Sequence, residues 1–413
     1  MGVTMDVHDR VAEAGRAARA ASAGLAKAGP EAVGEALCGL AEALVDRAAE
    51  VLEANRRDVD EAREGGLADA TIDRLRLDEA RLHGMAREIA TLAEADDLDP
   101  VVGVHTLANG LRVEERRRPV GVIGANYEAR PNVTVDVASQ LLKSRNAGVL
   151  RTGSAALRSA SVLVDRAIRP AIASAGLDPD AIQLVRSTDR AGARALVSLP
   201  RLIPLVILRG SGETTAALAR EAAANGVRTL AHAEGGGVLY IDRAADRDLA
   251  LELVTGSLDR LGVCNRLNLL LLAEERWDEL LPGVLAALDG IGIRASLPPH
   301  PHPLGHEWAL DHGNEATVTI APIGDAVAAA RVANDETSGL AAGIVTTDAA
   351  AADAFLASYS GTGAFWNAST RLLDGFKLLG APETGINVDR VPGPRGPVTY
   401  RDLCLRQYRV TPG

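Results

Sequence analysis

From about residue 8 to residue 95 the apolar positions recur every three to four residues, the period of a helix with one buried face. The run "EALCGLAEALVDRAAEVLEANRRDVDEAREGG" keeps that period for many turns and stops at Gly65-Gly66, which predicts a long helix. "DEARLHGMAREIATLAEA" predicts another. The period then changes. "VGVHTLANGLRVEERRR" reads as two short strands about Asn109-Gly110, a dipeptide suited to a type I′ turn with positive φ at both central residues. A hairpin over 104–116 is predicted, protruding between two compact parts.

Beyond it, short apolar runs alternate with amphipathic ones. "PVGVIGAN", "AGVLRTG", "IQLVRS" and "IPLVILRGSG" read as buried strands, each followed by a helical segment. A second series follows: "GVLYID", "RLNLLLLA", "ATVTIAPIG", "AAGIVTTD" and "GAFWNAST", again with helices between them. Continuous apolar strands alternating with helices predict parallel, doubly wound α/β sheets. The tail "VTYRDLCLRQYRV" reads as a last strand.

Composition narrows the class. The 413 residues suffice for two to three domains, and 47% apolar content predicts a globular chain. Aromatics are 3%, so small aliphatic side chains must fill the core. A net charge of −11, with no basic stripe interleaved with aromatics, argues against a nucleic-acid partner. The run "EERRRP" reads as a solvated surface. Cys38, Cys264 and Cys404 make neither a disulfide framework nor a C-x-x-C pair, which suits a reducing compartment. The start carries no apolar signal region, and Asp6 spoils its likeness to a myristoylation motif. With no run of about 18 apolar residues, no membrane span is expected and the cytoplasm is the expected compartment.

Cys264 lies in "LGVCNR", between a helical run and a buried strand, where Gly262 and Asn265 mark a turn. A turn at a sheet end suits a nucleophile; a free Cys equally suits packing. Cys38 in an amphipathic helix and Cys404 in a strand read as packing. "ILRGSGETTAALA" and "VLRTGSAALRS" are strand-to-helix turns whose N–H groups can hold phosphate, or which are simply tight. Arg151 and Arg158, with no acid before residue 165, suit a 2′-phosphorylated nucleotide, or are surface Arg at a helix start. Asn132 in "YEARPNVTVD" can donate to an oxyanion, cap a helix, or both. His300, His302 and His306 read as a Pro-stiffened surface loop with no metal. Glu234 and Glu383 each read as a general base or a solvated turn acid.

Several blocks together resemble the γ-glutamyl phosphate reductase family of the aldehyde dehydrogenase superfamily. They include "EANRRDVDEAREGGL", "LANGLRVEERRRPVGVIG", "YEARPNVTVDVASQLLKSRNAGVLRTGS", "GVCNRLNLLLL", "NASTRLLDG" and "GPRGPVTYRDLCLRQYRV", in the family's order over nearly the whole length. The resemblance implies an aldehyde dehydrogenase-like α/β fold. Its parts are a Rossmann-like NADP-binding domain (1–103 and 117–235), an α/β catalytic domain (236–395) and a β-hairpin oligomerisation flap (104–116 and 396–413). It implies Cys264 as the catalytic thiol and Asn132 as the oxyanion donor. Arg151, Thr152, Ser154, Arg209, Gly210 and Ser211 fall on its cofactor turns, and Arg130 on its substrate-binding block. Ser369, Thr370 and Arg371 follow a strand-like run, and Arg371 suits a substrate carboxylate or a bridge to Asp374.

The implied reaction is NADPH-dependent reduction of γ-glutamyl phosphate to glutamate-5-semialdehyde and phosphate, in proline biosynthesis, through a cysteine thioester. The implied partners are an acyl phosphate or semialdehyde substrate, a functionally linked amino-acid kinase and further copies of the chain. The sequence departs from the family pattern at Arg145, usually Gly, at "VCNR", usually "VCNA", and in "EGGGVLY" and "KLLGAPETGIN". A paralogue acting on another acyl phosphate or semialdehyde, and a non-catalytic binding protein of the same fold, are the alternatives.

Overall fold

The computed structural model describes residues 6–67, 69–210, 212–232, 235–311, 313, 315–388, 393 and 395–413. The chain forms two compact units: residues 1–233, 380–385 and 398–413 make the first, and residues 234–379 and 386–397 the second.

The first unit opens with α1 (Val7–Leu25), α2 (Pro30–Asp46), α3 (Ala48–Glu64), α4 (Asp69–Leu75) and α5 (Glu79–Glu94). The single long helix expected over α2 and α3 is broken at Arg47, whose φ of −100° and ψ of 12° leave the helical region. The break lets α2 follow α5 and α8 while α3 follows α7. Leu37, Leu40 and Leu44 on α2 are completely buried, each contributing about 1.5–3 kcal/mol relative to exposure.

Next come β1 (Val101–Thr106), β2 (Arg112–Pro119), β3 (Val122–Tyr127), α6 (Pro131–Lys143), β4 (Ala147–Thr152), α7 (Leu157–Val162), α8 (Arg169–Ser174), β5 (Ile182–Leu184), α9 (Ala191–Leu196), β6 (Leu205–Arg209), α10 (Gly212–Ala224) and β7 (Arg228–His232). A π-helical stretch, Leu163–Ile168, interrupts the run that reads as one helix in sequence. The strand β7 has no counterpart in the sequence reading, because polar Arg228 and Thr229 dilute its apolar run. The five strands pair in parallel in the order β5-β4-β3-β6-β7. The strand order reverses between β3 and β6, β4 and β5 being added on one side and β6 and β7 on the other, so a crevice is expected there, at the carboxyl ends of the strands.

The antiparallel pair β1–β2 turns at Leu107–Gly110, where the Gly110 N–H donates to the Leu107 carbonyl (2.9 Å). Gly110 has φ of 84°, whereas Asn109 does not have positive φ; the expected type I′ turn is instead a four-residue turn closed by a left-handed glycine. Asn109 Oδ1 accepts the Leu111 N–H (3.2 Å), a bond that keeps its own backbone out of the left-handed region. The strand β16 (Cys404–Thr411) pairs with the other edge of β2. "EERRRP" is therefore the middle strand of three rather than a solvated surface, and its Glu114 is buried between Arg112 (2.5 Å) and Arg116 (2.6 Å).

The second unit contains β8 (Gly237–Ile241), α11 (Arg247–Gly256), β9 (Leu267–Ala273), α12 (Trp277–Gly290), β10 (Arg294–Ser296), β11 (Thr317–Ile323), α13 (Ala326–Glu336), β12 (Ala341–Val345), α14 (Ala349–Ser358), β13 (Gly363–Trp366) and α15 (Gly375–Leu379). Its six-stranded sheet is parallel, in the order β10-β11-β9-β8-β12-β13. The seven residues of β9 are all buried, as its continuous apolar run predicts. No described helix is long and apolar enough to cross a membrane.

The α6 C-terminus shows how a departure from the family pattern is accommodated. Arg145 has φ of 58° just past the helix end, where Gly is the favoured residue. Its guanidinium compensates by binding Asp97 (2.6 and 3.1 Å) and the Ala28 carbonyl (2.8 Å). Both Arg145→Gly and Arg145→Ala lose those bonds, but only Ala retains the backbone strain. Urea unfolding is expected to find Arg145→Gly the more stable of the two by about 1 kcal/mol; the reverse order contradicts this account.

Candidate active site

In the second unit, Cys264 sits in the turn of residues 261–266 between α11 and β9, as the sequence predicts. The thiol is half-buried against an apolar cluster that includes Leu340, Leu373 and Ile386. This turn lies at the amino ends of β8 and β9, not at the carboxyl ends where open α/β sheets usually gather ligands. The backbone at 235–237 fixes it. The Gly236 N–H donates to the Cys264 carbonyl and the Gly237 N–H to the Arg266 carbonyl, each at 2.7 Å. A Cβ on Gly235 would stand 2.7 Å from both Cα and Cβ of Cys264, so any other residue there would push the cysteine away. Glu234 lies outside the described residues.

Three buried side chains complete the support. Asn265 Nδ2 donates to the Leu373 carbonyl (2.9 Å), and Thr370 Oγ1 donates to the Asn265 carbonyl (2.9 Å). Arg266 is completely buried; its guanidinium donates to the carbonyls of Leu267, Glu315 and Thr317, and burial pushes its pKa down to about 10. Residue-level reading recorded Arg266 only as a departure from "VCNA". Its role in tying the Cys264 turn to β11 and the loop before it becomes visible only in three dimensions.

Of the expected substrate residues, Thr370 and Arg371 meet the Cys264 turn, and Ser369 meets the end of α11 before it. Ser369 Oγ lies 2.7 Å from Ser257 Oγ, and Thr370 is fully buried. Arg371 Nε pairs with Asp259 at 2.6 Å, and its Nη1 donates to Asn265 Oδ1. Asp374, the other expected partner of Arg371, instead accepts the N–H groups of Phe376 (3.0 Å) and Lys377 (3.1 Å) at the start of α15. The histidine loop is half-buried rather than solvated: His302 Nε2 meets Ser296 Oγ (2.7 Å), His306 Nε2 meets Asp311 Oδ2 (2.7 Å), and both rings pack edgewise on Trp308. Cys38, expected as packing, is exposed on α2, and Cys404 is half-buried.

In the first unit, Asn132 occupies the second position of α6, after Pro131 and the N-cap Arg130. The helix cap expected of Asn132 is not made. Its amide Nδ2 donates instead to Asp136 Oδ2, one turn along, at 3.0 Å. Burial, reinforced by the Glu88 and Glu383 charges, pushes the Asp136 carboxyl up to about 7 against the opposing pull of Arg209. Glu383, read in sequence as a base or a turn acid, thus faces a second carboxyl. Sequence reading passed over Asp136; its spacing from Asn132, one helical turn, is the signal that carries it.

The carboxyl ends of β3, β4 and β6 form the crest of this sheet. A Cβ on Gly210 would lie 3.0 Å from Glu128 Oε1, and one on Gly153 3.1 Å from the Ala129 N. Among the described residues, Thr152 Oγ1 and Arg151 Nε are buried without a hydrogen-bond partner, while Ser154 is exposed. Arg151 is itself buried within β4, with Nη1 on Asn126 Oδ1 (3.1 Å) and Nη2 on the Asp189 carbonyl (3.2 Å). Arg190 stands close enough to lower its pKa further, after burial, the larger cause. Arg158 is occupied by Glu61 (2.8 Å) and Asp58 (3.3 Å). Arg209 ends β6 and Gly210 follows it; Ser211 lies outside the described residues.

Comparison with known proteins agrees with this architecture. Residues 3–300 match the model of the aldehyde dehydrogenase family. The chain is 37% identical to a γ-glutamyl phosphate reductase of Clavibacter michiganensis, covering 98% of this chain and 94% of that protein. It is 35% identical to a γ-glutamyl phosphate reductase of Thermobifida fusca, covering 98% of both. The crystal structure of γ-glutamyl phosphate reductase from Thermotoga maritima superposes with a TM-score of 0.88 at 29% identity, covering 98% of both chains. The chain belongs to the aldehyde dehydrogenase family, and within it to the group of the γ-glutamyl phosphate reductases.

Proposed function

We propose that this protein reduces γ-glutamyl phosphate to glutamate-5-semialdehyde and phosphate with NADPH, as a step of proline biosynthesis in the cytoplasm. The observation that carries the reading is the nucleophile turn: a half-buried thiol on a backbone held by buried Asn265, Arg266 and Thr370. The Cys264 thiolate attacks the acyl carbonyl, the bond to the phosphate oxygen breaks, and phosphate leaves a thioester. Hydride addition to the thioester carbon and cleavage of the carbon–sulfur bond release the aldehyde and restore the thiolate. Phosphate is a good leaving group and no hydrolytic water is needed, so no general-base Glu is required. Asn132, at a helix N-terminus, supplies an amide N–H for the oxyanion, a contribution of about 3 kcal/mol.

Membership of the aldehyde dehydrogenase family implies a nicotinamide cofactor. Thr152 Oγ1, buried with no hydrogen-bond partner among the described residues, and the close-set turns at Gly153 and Gly210 fit such a group at the crest of β3, β4 and β6. Thr152, Ser154, Arg209, Gly210 and Ser211 are assigned to holding it, and the bound cofactor supplies the hydride. Two neighbouring cations, Arg151 and Arg190, favour a 2′-phosphate. Arg130, which caps α6, is assigned to the substrate. Arg371 already grips Asp259 and Asn265, so its role in binding a substrate carboxylate is secondary to holding the Cys264 turn. Val104 and Leu405 are exposed on one face of the β1–β2–β16 sheet and Tyr408 and Val410 on the other, apolar side chains suited to packing against another copy of the chain.

Cys264→Ala is expected to lose about 10³-fold or more in turnover while remaining folded, with Cys38→Ala and Cys404→Ala active; substantial activity in Cys264→Ala contradicts the mechanism. Arg190→Ala is expected to raise the KM for NADPH by about tenfold and leave that for NADH unchanged; equal effects on both show that the cation does not read the phosphate. Replacing both Leu405 and Val410 by Asp is expected to turn an oligomer into monomers in sedimentation velocity, and an unchanged oligomer assigns the contact elsewhere. In an assay across semialdehydes of different chain length, no activity on glutamate-5-semialdehyde with activity on another establishes the paralogue reading.

A further inference from the structure

We propose that Asp136 is a positioning residue for the Asn132 amide: its carboxylate, 3.0 Å from Asn132 Nδ2, keeps that amide turned so that its second N–H remains available to an oxyanion. The inference rests on the oxyanion role proposed above for Asn132.

An asparagine side chain is nearly symmetric in shape, and a half-turn of its amide exchanges the NH₂ donor for the carbonyl acceptor. Presented to an oxyanion, the carbonyl repels what the NH₂ would stabilise. An ionised carboxylate accepts only, so it selects the productive orientation: one N–H to Asp136, the other outward. A protonated carboxyl can donate, and then the amide carbonyl can turn toward it. Ionisation of Asp136 therefore decides which face of the amide is offered. The i, i+4 spacing on α6 keeps both groups on the same side of the helix, within its first two turns.

The charged and titratable surroundings bring that ionisation into the working pH range. Glu88 from α5 and Glu383 from the 380–385 segment disfavour the carboxylate; Arg209 at the end of β6 favours it. Tyr127 on β3 donates its hydroxyl to Thr134 Oγ1 (2.9 Å), and the Asp136 charge together with burial keeps it protonated. With burial the largest cause, the Asp136 carboxyl reaches about 7. The sign for stability follows. The unfolded chain ionises Asp136 near its ordinary value of about 4, so folding loses stability as pH rises from there through about 7. A carboxylate maintained against that cost is poorly explained as a structural bond.

The test measures NADP+- and phosphate-dependent oxidation of glutamate-5-semialdehyde by the full-length protein, Asp136→Asn, Asn132→Ala and the double variant, between pH 5.5 and 9, with thermal unfolding of each. For Asp136→Asn, kcat is expected to fall about tenfold with KM values within about twofold. The acid limb of the kcat profile near pH 7 is expected to vanish, and Tm at pH 8 to equal or exceed that of the unaltered protein. Asn132→Ala is expected to lose more, and adding Asp136→Asn to it to cost nothing further, because the carboxylate acts only through that amide. Native-like kcat with the acid limb intact in Asp136→Asn overturns the proposal while leaving the oxyanion reading in place. So does an independent loss in the double variant, or a lower Tm at pH 8. A native-like Asn132→Ala overturns both readings.

Discussion

The position of Cys264 depends on how closely the backbone at residues 235–237 approaches the turn that carries it. Two amide N–H groups bond to the carbonyls of Cys264 and Arg266, and a Cβ on Gly235 would stand where the cysteine's own Cα and Cβ need room. That contact fixes the turn from one side. From the other, Asn265, Thr370 and Arg371 knit it to the segment after β13. Arg266 ties it to the start of β11 at the desolvation cost of an arginine with no exposed surface. A nucleophile must be held in a narrow range of positions, and a turn anchored by so many buried polar groups has few ways to relax.

The first unit has a different organising constraint. The strand order of its parallel sheet reverses between β3 and β6, and the carboxyl ends of those strands carry the groups assigned to the cofactor. α6 starts at the same edge, immediately after β3. Pro131 at its first turn and the N-terminal end of the helix dipole give Asn132 a setting already polarised toward negative charge. Asp136, held partly protonated near neutrality by burial and two neighbouring carboxylates, is the kind of cost in stability that functional sites carry.

Much of this was legible in the sequence, for definite physical reasons. Continuous apolar runs such as "LNLLLL" announce strands buried on both faces, and their alternation with amphipathic segments announces parallel sheets. Turn residues around Cys264 placed the thiol between a helix and a strand. What sequence missed depended on partners distant along the chain. Arg371 meets Asp259, 112 residues earlier, rather than Asp374 three residues away. Arg145 tolerates a left-handed backbone because Asp97 and the Ala28 carbonyl receive its guanidinium. Asn109 did not adopt the conformation its dipeptide suggests, because its own side chain found the Leu111 amide. Cys38 looked like packing because its helix is amphipathic, yet it falls on the exposed face.

On the proposed mechanism the acyl group passes through a thioester on Cys264. The direct measurement is acid quench of the protein during oxidation of glutamate-5-semialdehyde without phosphate, followed by mass mapping of its cysteine peptides. The account predicts a γ-glutamyl acyl group, removable by hydroxylamine, on the peptide containing Cys264 and on no other. An unmodified Cys264 peptide during turnover, or an acyl group on the Cys38 or Cys404 peptide instead, contradicts it.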